Sequence, residues 1–236
     1  MPSWVGSRMI IKAENLTKKF KSGNSELVVL KDLNLSVREG EFLSITGRSG
    51  SGKSTLLHQL GLLDKPNSGR IEINGIDVSS LNNDERTSFR LNELGFIFQD
   101  YALVPELTAL ENVLIPLFMQ GLKNHNAEKA AREALKKVDL GDRLDNLPSQ
   151  LSGGEQQRVS IARAIGHKPK IVFADEPTAN LDSETAQVVL KTFIDLNKEG
   201  QTIVMVTHEP EYANLTHRIL VLANGVIYKE KMGNGK

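Results

Sequence analysis

"GRSGSGKST", from Gly47 to Thr55, is the stretch that decides the fold of this chain. Its Gly47, Gly52, Lys53 and Ser54 satisfy the spacing G-x-x-x-x-G-K-[ST]. The apolar run before it predicts a strand, and the helical spacing of the residues after it predicts a helix. Glycines let main-chain N–H groups turn inward, and the start of a helix carries partial positive charge. The stretch is therefore predicted to be a phosphate-binding loop.

Lys53 and Ser54 add specific chemistry to this loop. A lysine at this position is expected to reach the β and γ phosphates of a nucleotide, and the Ser54 hydroxyl is expected to bind Mg²⁺. The alternative is a glycine- and serine-rich surface loop without a ligand. The predicted strand before the loop and the predicted helix after it argue against that alternative.

Composition places the chain among ordinary globular proteins. It has 236 residues, 39% of them hydrophobic and 25% charged, which is enough for one substantial core. Lys plus Arg equals Asp plus Glu, at 29 each, so no basic field indicates nucleic acid as a partner. The lack of cysteine excludes disulfides and thiolate metal sites and suits a reducing cytosol. No apolar run reaches the roughly 18–20 residues that span a bilayer.

The pattern along the chain predicts an α/β fold. Alternating runs near the N-terminus predict strands, and Asn74-Gly75 predicts the turn of a hairpin. Residues from about 100 to 166 are mostly helical in character, and "KIVFADEP" and "TIVMVTH" are typical of parallel strands. The helix between those two strands is expected to end at Gly200. We therefore expect a core with a mostly parallel sheet, an N-terminal antiparallel β subdomain and an inserted α-helical subdomain.

The helix within "NAEKAAREALKKV" is expected to turn one apolar face inward, formed by Ala130, Ala131, Ala134, Leu135 and Val138.

Polar residues follow three of the predicted strands. Asp175 and Glu176 end the apolar run "IVFA", His208 follows "TIVMVT" and Gln99 follows "GFIF". Because parallel strands present their carboxyl ends at one edge of a sheet, we expect these side chains near bound phosphate. Asp175 is expected to hold Mg²⁺, and Glu176 is expected to polarise an attacking water. Alone, an acidic pair indicates a solvated turn and a single histidine a structural role. The loop at Gly47 favours the functional interpretation.

"LSGGEQQR", from Leu151 to Arg158, predicts a second anion cradle that lacks a lysine. Ser152, Gly153 and Gly154 at the start of a helix would offer donors to a phosphate. Ser152 and Glu155 also form the capping-box pattern S-x-x-E, which by itself only starts a helix. Both interpretations are compatible, but a cap does not require two adjacent glycines.

These motifs together resemble the nucleotide-binding subunits of ABC transporters, from about Met9 to Tyr228. "GRSGSGKST" looks like Walker A, "IVFADE" like Walker B, "ANLD" like the D-loop, and "LSGGEQQR" matches the signature motif, which is nearly diagnostic. Gln99 falls at the Q-loop and His208 at the H-loop. The branch that looks most similar is that of lipoprotein release (Lol) and macrolide export (Mac), although Arg48 and Ala179 depart from its commoner "GPSGSGKS" and "PTGNLD".

The resemblance implies a single ABC-type ATPase domain over residues 9–236, after an N-terminal extension of residues 1–8, with ATP and Mg²⁺ as cofactors. Phe20 stands where the family has a tyrosine stacked on adenine, and a phenylalanine keeps the aromatic face. Glu176, His208 and Gln99 are the implied catalytic residues. The implied metal ligands are Ser54, Gln99 and Asp175. The implied ATP-binding residues are Phe20, Gly47, Arg48, Ser49, Gly50, Ser51, Gly52, Lys53, Ser54 and Thr55, and Ser152, Gly153, Gly154 and Gln156 are implied to contact the ATP of a partner chain.

The same resemblance implies a homodimer in the ATP-bound state, integral-membrane permease partners and no nucleic acid. The chain is then expected in the cytoplasm, peripheral on the inner face of the cell membrane. One alternative is a regulatory ATPase that signals through a membrane partner without transport. A soluble repair or translation protein is disfavoured, because this chain has neither a long coiled coil nor two cores. The substrate is chosen by membrane subunits and is not encoded here.

The segment after Gln99 is expected to be an irregular surface that docks the membrane partner. It combines an aromatic residue, aliphatic residues and a proline. The alternative is that the same side chains pack the helical subdomain onto the core. The residues concerned are Tyr101, Leu103, Val104, Pro105 and Leu107.

Overall fold

The computed structural model describes residues 7–23 and 25–235. Most of the expected N-terminal extension, residues 1–6, therefore lies outside the described residues. Arg8 is described, and its guanidinium group pairs with Glu39 at 2.9 Å and donates to the Asn74 side chain at 2.7 Å. No helix among these residues is both long enough and apolar enough to cross a membrane.

Strands and helices alternate along most of the chain. The strands are β1 (Met9–Ser22), β2 (Ser25–Arg38), β3 (Phe42–Gly47), β4 (Ser68–Ile73), β5 (Ile76–Asp77), β6 (Leu94–Ile97), β7 (Ile171–Asp175), β8 (Thr202–Val206), β9 (Arg218–Ala223) and β10 (Val226–Met232). The helices are α1 (Lys53–Leu60), α2 (Asn83–Glu93), α3 (Ala109–Met119), α4 (Asn124–Lys137), α5 (Gly153–Ile165), α6 (Ser183–Lys198) and α7 (Pro210–Ala213), with a 3₁₀ turn at Pro148–Gln150.

The chain divides into two compact units. The first contains the residues up to Thr87 and those from Asn197 onward, and the second runs from Ser88 to Leu196. The phosphate-binding loop, Phe20 and His208 belong to the first unit. The second unit holds Gln99, Asp175, Glu176 and the segment "LSGGEQQR", all of which are described within that unit below.

The first unit contains the predicted antiparallel sheet, with strand order β2-β1-β4-β5. Alternate side chains of β1, such as Ile11 and Ala13, are buried, as the period of a half-buried strand requires. The predicted hairpin turn is confirmed: Ile73 pairs with Ile76, and Asn74 and Gly75 between them have φ values of 53° and 81°. Two successive positive φ values define the turn type that Asn-Gly favours.

The first unit also contains the strands that position the phosphate-binding loop. β3 pairs in parallel with β8 on one side and with β9 on the other, and β10 pairs antiparallel to β9. Leu43 and Ile45 of β3 are completely buried, as expected for a central strand covered on both faces. The chain leaves β3 at Gly47 and enters α1 at Lys53, so the predicted order of strand, loop and helix is confirmed.

In the second unit β6 and β7 pair in parallel, with Leu94 opposite Ile171. The strand ends deliver Gln99, two residues after β6, and Asp175, the last residue of β7, at the same edge. The mostly parallel strand pairing and the N-terminal antiparallel sheet of the predicted α/β fold are therefore confirmed.

Two helices show how far periodicity identifies structure. Helix α4 buries Ala127, Ala131, Ala134 and Leu135, so the predicted apolar face is confirmed except that Ala130 is only half-buried. The apolar pattern of the sequence does not indicate helix α2. Of its side chains only Arg86 is buried, so no apolar stripe marks it in the sequence.

Candidate functional site

The phosphate-binding loop turns its main chain through conformations that favour glycine. Gly47, Gly50 and Gly52 have φ values of 152°, 76° and 102°. A Cβ atom on Gly47 would lie 2.3 Å from the Leu222 carbonyl oxygen, and one on Gly52 would lie 3.0 Å from the Val29 carbonyl oxygen. The glycines of the motif are therefore required by both conformation and close packing.

The turn between β9 and β10 supports this loop from behind. The Gly225 N–H group donates to the Ser51 carbonyl at 3.2 Å, and the Gly225 carbonyl accepts from the Lys31 N–H group at 3.0 Å. The sequence motifs did not reveal this support. The signal was present, because Asn224-Gly225 is an Asn-Gly turn with φ values of 50° and 81°.

Lys53 and Ser51 show that the loop fits a polyanion. Lys53 is buried, and its Nζ atom donates to the Arg48 carbonyl oxygen of the same loop at 3.3 Å. Ser51 Oγ is buried without a hydrogen-bond partner among the described residues. Helix α1 has no acidic residue in its first turn, so none of the residues of that turn offsets the partial positive charge at its start. A phosphate group would supply the acceptors that these donors lack.

Phe20 presents an aromatic surface in the same unit. Its side chain is 42% exposed, and the Lys18 Nζ atom lies 5.0 Å from the ring centroid. Lys18 is itself fixed by an ion pair with Asp64 at 2.7 Å. The ring is thus held by a cation–π contact and remains accessible for stacking.

His208 lies at the same strand edge as the phosphate-binding loop. It follows β8, which runs parallel to β3, and the Thr207 N–H group donates to the Ile45 carbonyl at 3.2 Å. The His208 side chain is exposed, and its Nε2 atom lies 3.1 Å from Glu209 Oε1. The predicted placement of His208 at the carboxyl edge, where the loop begins, is confirmed for the first unit.

Glu176 occupies a strained backbone position in the second unit. It follows Asp175 at the end of β7 with a φ of 45°, a left-handed conformation that costs a non-glycine residue roughly 1–3 kcal/mol. The Ala179 N–H group donates to the Glu176 carbonyl at 3.1 Å and closes a tight turn. Both carboxylate side chains are half-buried, so they remain accessible to a ligand.

Gln99 is tied to the segment that follows Glu176. The Asn180 side-chain amide donates to the Gln99 carbonyl at 3.0 Å, which leaves the exposed Gln99 side chain outside that bond. The next residues, Tyr101 and Ala102, have left-handed φ values of 61° and 49°. The Asn180 side chain thus links the segment after β7 to the main chain after β6.

Ser152 is the N-cap of α5, and the predicted capping box is confirmed. The Glu155 N–H group donates to Ser152 Oγ at 3.3 Å, and the Ser152 N–H group donates to Glu155 Oε2 at 2.8 Å. Gln156 is also engaged locally, since its side-chain amide donates to the Leu151 carbonyl at 3.0 Å.

The adjacent glycines have a packing role that the sequence did not indicate. A Cβ atom on Gly154 would lie 2.1 Å from Thr185 Cγ2, and one on Gly153 would lie 3.0 Å from the Tyr101 hydroxyl oxygen. Packing therefore requires a glycine at position 154, while at position 153 a side chain would press on the end of the Tyr101 side chain. Because packing accounts in part for these glycines, they are weaker evidence for a phosphate ligand than the sequence alone indicates.

Glu155 makes this helix start sensitive to acid. Its pKa lies below the ordinary value of 4.5, because the carboxylate accepts the Ser152 N–H group and also pairs with Arg143. A lowered pKa in the folded state adds stability above the unfolded pKa, and that stability is lost as pH falls through the folded pKa. Glutamine at position 155 keeps a side-chain oxygen that accepts the Ser152 N–H group but does not titrate. When pH is lowered from about 6 to about 3.5, we therefore expect the melting temperature of Glu155→Gln, measured by circular dichroism, to fall less than that of wild type. Equal losses would show that Glu155 ionisation does not support the cap.

Comparisons with known proteins agree with these motifs. The family model described as ABC transporter matches residues 30–179. The chain is 48% identical over 221 residues to the lipoprotein-releasing system ATP-binding protein LolD of Aquifex aeolicus, covering 94% of this chain and 97% of that protein. It is 45% identical over 223 residues to the macrolide export ATP-binding/permease protein MacB of Bartonella quintana, covering 94% of this chain but 34% of that protein.

A solved structure extends the agreement to the whole fold. The dimeric, post-hydrolysis structure of the ATP-binding cassette MJ0796, bound to ADP and phosphate, matches with a TM-score of 0.88 and 42% identity, covering 96% of this chain and 100% of that one. The source of MJ0796 is Methanocaldococcus jannaschii. The predicted fold class and the resemblance of the motifs are thereby confirmed. This chain belongs to the ABC transporter family, as one of its ATP-binding and ATP-hydrolysing members.

Proposed function

We propose that this chain powers the export or membrane extraction of a substrate through separate transmembrane subunits, which hold it at the inner face of the cell membrane. The names of its relatives support a role at a membrane, since LolD is the ATP-binding protein of a lipoprotein-releasing system and MacB combines an ATP-binding part with a permease. The observation that carries the proposal is an apolar groove on the second unit, suited to receiving another protein.

The groove is a cavity of about 360 Å³. It overlaps the docking segment expected from the sequence at Val104, which is 37% exposed. Pro105 is exposed as well, while Tyr101, Leu103 and Leu107 are half-buried and so also pack against the unit. The apolar residues that line the groove include Leu91, Phe96, Val104, Ile115 and Pro116.

The docking segment is irregular, yet it is held firmly in place. The buried Asn112 side chain donates to the carbonyls of Val104, Leu107 and Thr108 at 3.1, 2.9 and 3.0 Å. Its Oδ1 atom accepts from the Val104 N–H group at 2.8 Å. A preformed surface loses little conformational entropy on binding, which favours a docking role.

The residues proposed for ATP binding and hydrolysis each have one role. The phosphate-binding loop and Lys53 would bind the triphosphate, and Phe20 would stack on the base. Glu176 would accept a proton from the attacking water, and His208 would orient that water and the γ-phosphate. Mg²⁺, held by Ser54, Gln99 and Asp175, would neutralise phosphate charge when bound.

The signature segment supports assembly as a homodimer. Ser152 Oγ accepts a hydrogen bond from its own helix, which leaves the hydroxyl hydrogen free to donate. That donor, at the positive end of α5, would complete the nucleotide site of a second chain together with Gly153 and Gly154. MJ0796 has been solved as a dimer, which agrees with this assignment.

Co-purification tests the docking surface. We expect Val104→Asp to abolish recovery of the permease with the tagged chain, because a carboxylate would be buried in an apolar contact. ATPase activity of the isolated chain should remain. Val188→Asp on α6 is the matched control, since Val188 is 44% exposed and lies outside the groove. Equal recovery of the permease with both variants would overturn the docking surface.

A transport assay distinguishes the proposed function from its alternative. Movement of a substrate in vesicles reconstituted with the complex would show transport, whereas a regulatory ATPase would signal without moving a substrate.

A further inference from the structure

Lys18 is a lysine that the first unit buries beside the aromatic ring of Phe20. The two residues are separated by one position on β1, so their side chains leave the same face of the strand. The Lys18 side chain is only 11% exposed, whereas that of Lys19, on the opposite face, is 42% exposed. A lysine is seldom buried unless partners compensate for the loss of water, so the contacts of Lys18 indicate its role.

Two oxygen atoms hold the Lys18 ammonium group beside the ring. Its Nζ atom lies 2.7 Å from Asp64 Oδ2 and donates to the Lys65 carbonyl at 2.7 Å, and it is 5.0 Å from the centroid of the Phe20 ring. Asp64 also accepts from the Lys65 N–H group at 2.7 Å. Partial burial acts to raise the pKa of Asp64, but the donors around the carboxylate outweigh it, and the pKa lies below the ordinary value of 3.8. Asp64 is therefore ionised at neutral pH, and the pair with Lys18 is a charged one.

The ion pair reaches the helix that follows the phosphate-binding loop. The completely buried Gln59 side chain of α1 donates to Asp64 Oδ2 at 3.0 Å, and this oxygen is the one that pairs with Lys18. Arg86 of α2 donates to the Asp64 carbonyl at 2.8 Å and so holds the main chain of the same residue. A continuous series of contacts therefore runs from the Phe20 ring to α1.

The main chain of β1 is fixed to the phosphate-binding loop by a separate route. In the pairing of β1 with β2 the register shifts after Lys18, which leaves Val29 as an extra residue in β2. The Val29 carbonyl lies against the loop, since a Cβ atom on Gly52 would be 3.0 Å from its oxygen. These backbone contacts position the strand, but they leave the orientation of the Phe20 ring to its side-chain neighbours.

We propose that Lys18 is a positioning residue for the nucleotide base, and that it holds the Phe20 ring in the orientation on which the base stacks. The proposal rests on the proposed function, since Phe20 is the residue assigned there to the base. A ring that is oriented before the nucleotide arrives loses less conformational entropy on binding, which strengthens nucleotide affinity. Because Lys18 acts on the base and not on the phosphates, its loss should weaken affinity and leave the rate of hydrolysis at saturating ATP unchanged.

A double-mutant cycle on nucleotide affinity tests this role. ADP is titrated into the protein with Mg²⁺ by isothermal titration calorimetry, because the reaction does not consume ADP during the measurement. We expect Lys18→Met to raise the dissociation constant about three- to tenfold, which corresponds to the loss of a cation–π contact. In a Phe20→Ala background the same change should have less than about a twofold effect, because no ring remains to be positioned. An equal effect in both backgrounds would overturn the proposal, since Lys18 would then act on the nucleotide without Phe20.

Lys19→Met is the matched control for the change in charge. Lys19 pairs with Glu26 at 3.3 Å on the opposite face of β1 from the ring, so this variant removes the same charge one residue away. Its ADP affinity should equal that of wild type. A loss as large as that of Lys18→Met would assign the effect to net charge and contradict a positioning role.

Asp64→Asn tests the same series of contacts without changing Lys18. Asparagine keeps a side-chain oxygen that accepts from the Lys65 N–H group but removes the charge that holds Lys18. ADP affinity should fall with this variant in the wild-type background and stay unchanged in the Phe20→Ala background. For Asp64→Asn and Lys18→Met alike, steady-state hydrolysis should show a raised KM for ATP and an unchanged kcat, and a lowered kcat would contradict a role confined to the base.

The Phe20→Ala protein alone distinguishes the two levels of the argument. If it binds ADP as tightly as wild type, the proposed stacking of the base on Phe20 itself fails. If Phe20→Ala weakens binding while Lys18→Met and Asp64→Asn do not, the base still stacks on Phe20 and only the positioning role of Lys18 is overturned.

Discussion

Glu176→Gln is expected to lower the rate of ATP hydrolysis by about 10²–10⁴-fold while ATP binding persists. Glutamine keeps the shape of the side chain but cannot accept a proton from water. It also tolerates the left-handed backbone at this position as well as glutamate does, so the φ of 45° brings no new strain. The fold and the nucleotide affinity should therefore be preserved.

The same variant should accumulate as an ATP-bound dimer. We expect the homodimer to persist while ATP is bound and to open after hydrolysis, and removing the carboxylate also removes one negative charge near the proposed phosphate position. Size-exclusion chromatography with ATP and Mg²⁺ would detect the dimer. Glu184→Gln, an exposed change in the first turn of α6, is the control and should hydrolyse ATP normally. A Glu176→Gln protein that turns over at the wild-type rate would exclude Glu176 as the base.

Lys53→Ala should reduce hydrolysis by at least about 10²-fold, because it removes the cation proposed to contact phosphate. Among the described residues Lys53 bonds only to the Arg48 carbonyl of its own loop, so its loss should leave the folded structure intact. Binding of a fluorescent ATP analogue and the melting temperature, measured together, separate loss of the site from loss of the fold. Normal turnover in this variant would remove the phosphate-binding interpretation.

Mixing Lys53→Ala with Ser152→Arg tests whether the signature segment serves a second chain. Ser152→Arg alone should bind ATP but fail to hydrolyse it, since an arginine would replace the hydroxyl proposed to complete the nucleotide site of the partner chain. In a mixed dimer with shared sites, one site carries both lesions and the other carries neither. Some activity should therefore return on mixing, and one occluded ATP per dimer should be recovered. If Ser152 acted on the nucleotide of its own chain, both sites would be damaged, and neither activity nor occluded ATP would appear.

Local sequence signals predicted the parts of the site that depend on neighbouring residues. The spacing of Gly47, Gly52 and Lys53 identified the loop, and the pattern from Ser152 to Glu155 identified the start of α5. In both cases the interacting atoms belong to residues only a few positions apart along the chain, so the residue spacing predicts the local structure.

Contacts between distant residues could not be predicted in the same way. Arg163 holds the carbonyls of Tyr101 and Ala102, and carbonyl groups are the same in every residue, so no pattern reveals the pairing. No sequence pattern indicates the packing of Gly154 against Thr185 either. Helix α2 was missed for another reason: it is stabilised by its Asn82 cap and buries only one side chain.

The two Asn-Gly turns differ in what the protein can accept there. Hairpin tips are usual places for an inserted tag or a fluorescent label. At Gly75 an added Cβ atom would meet nothing within 4 Å, so that tip has room for a foreign segment. At Gly225 the added atom would lie 2.3 Å from the Val29 carbonyl oxygen, and the same residue holds the Ser51 carbonyl. A label that must not disturb the protein belongs at the first turn, because the second, although it has the same dipeptide, supports the phosphate-binding loop.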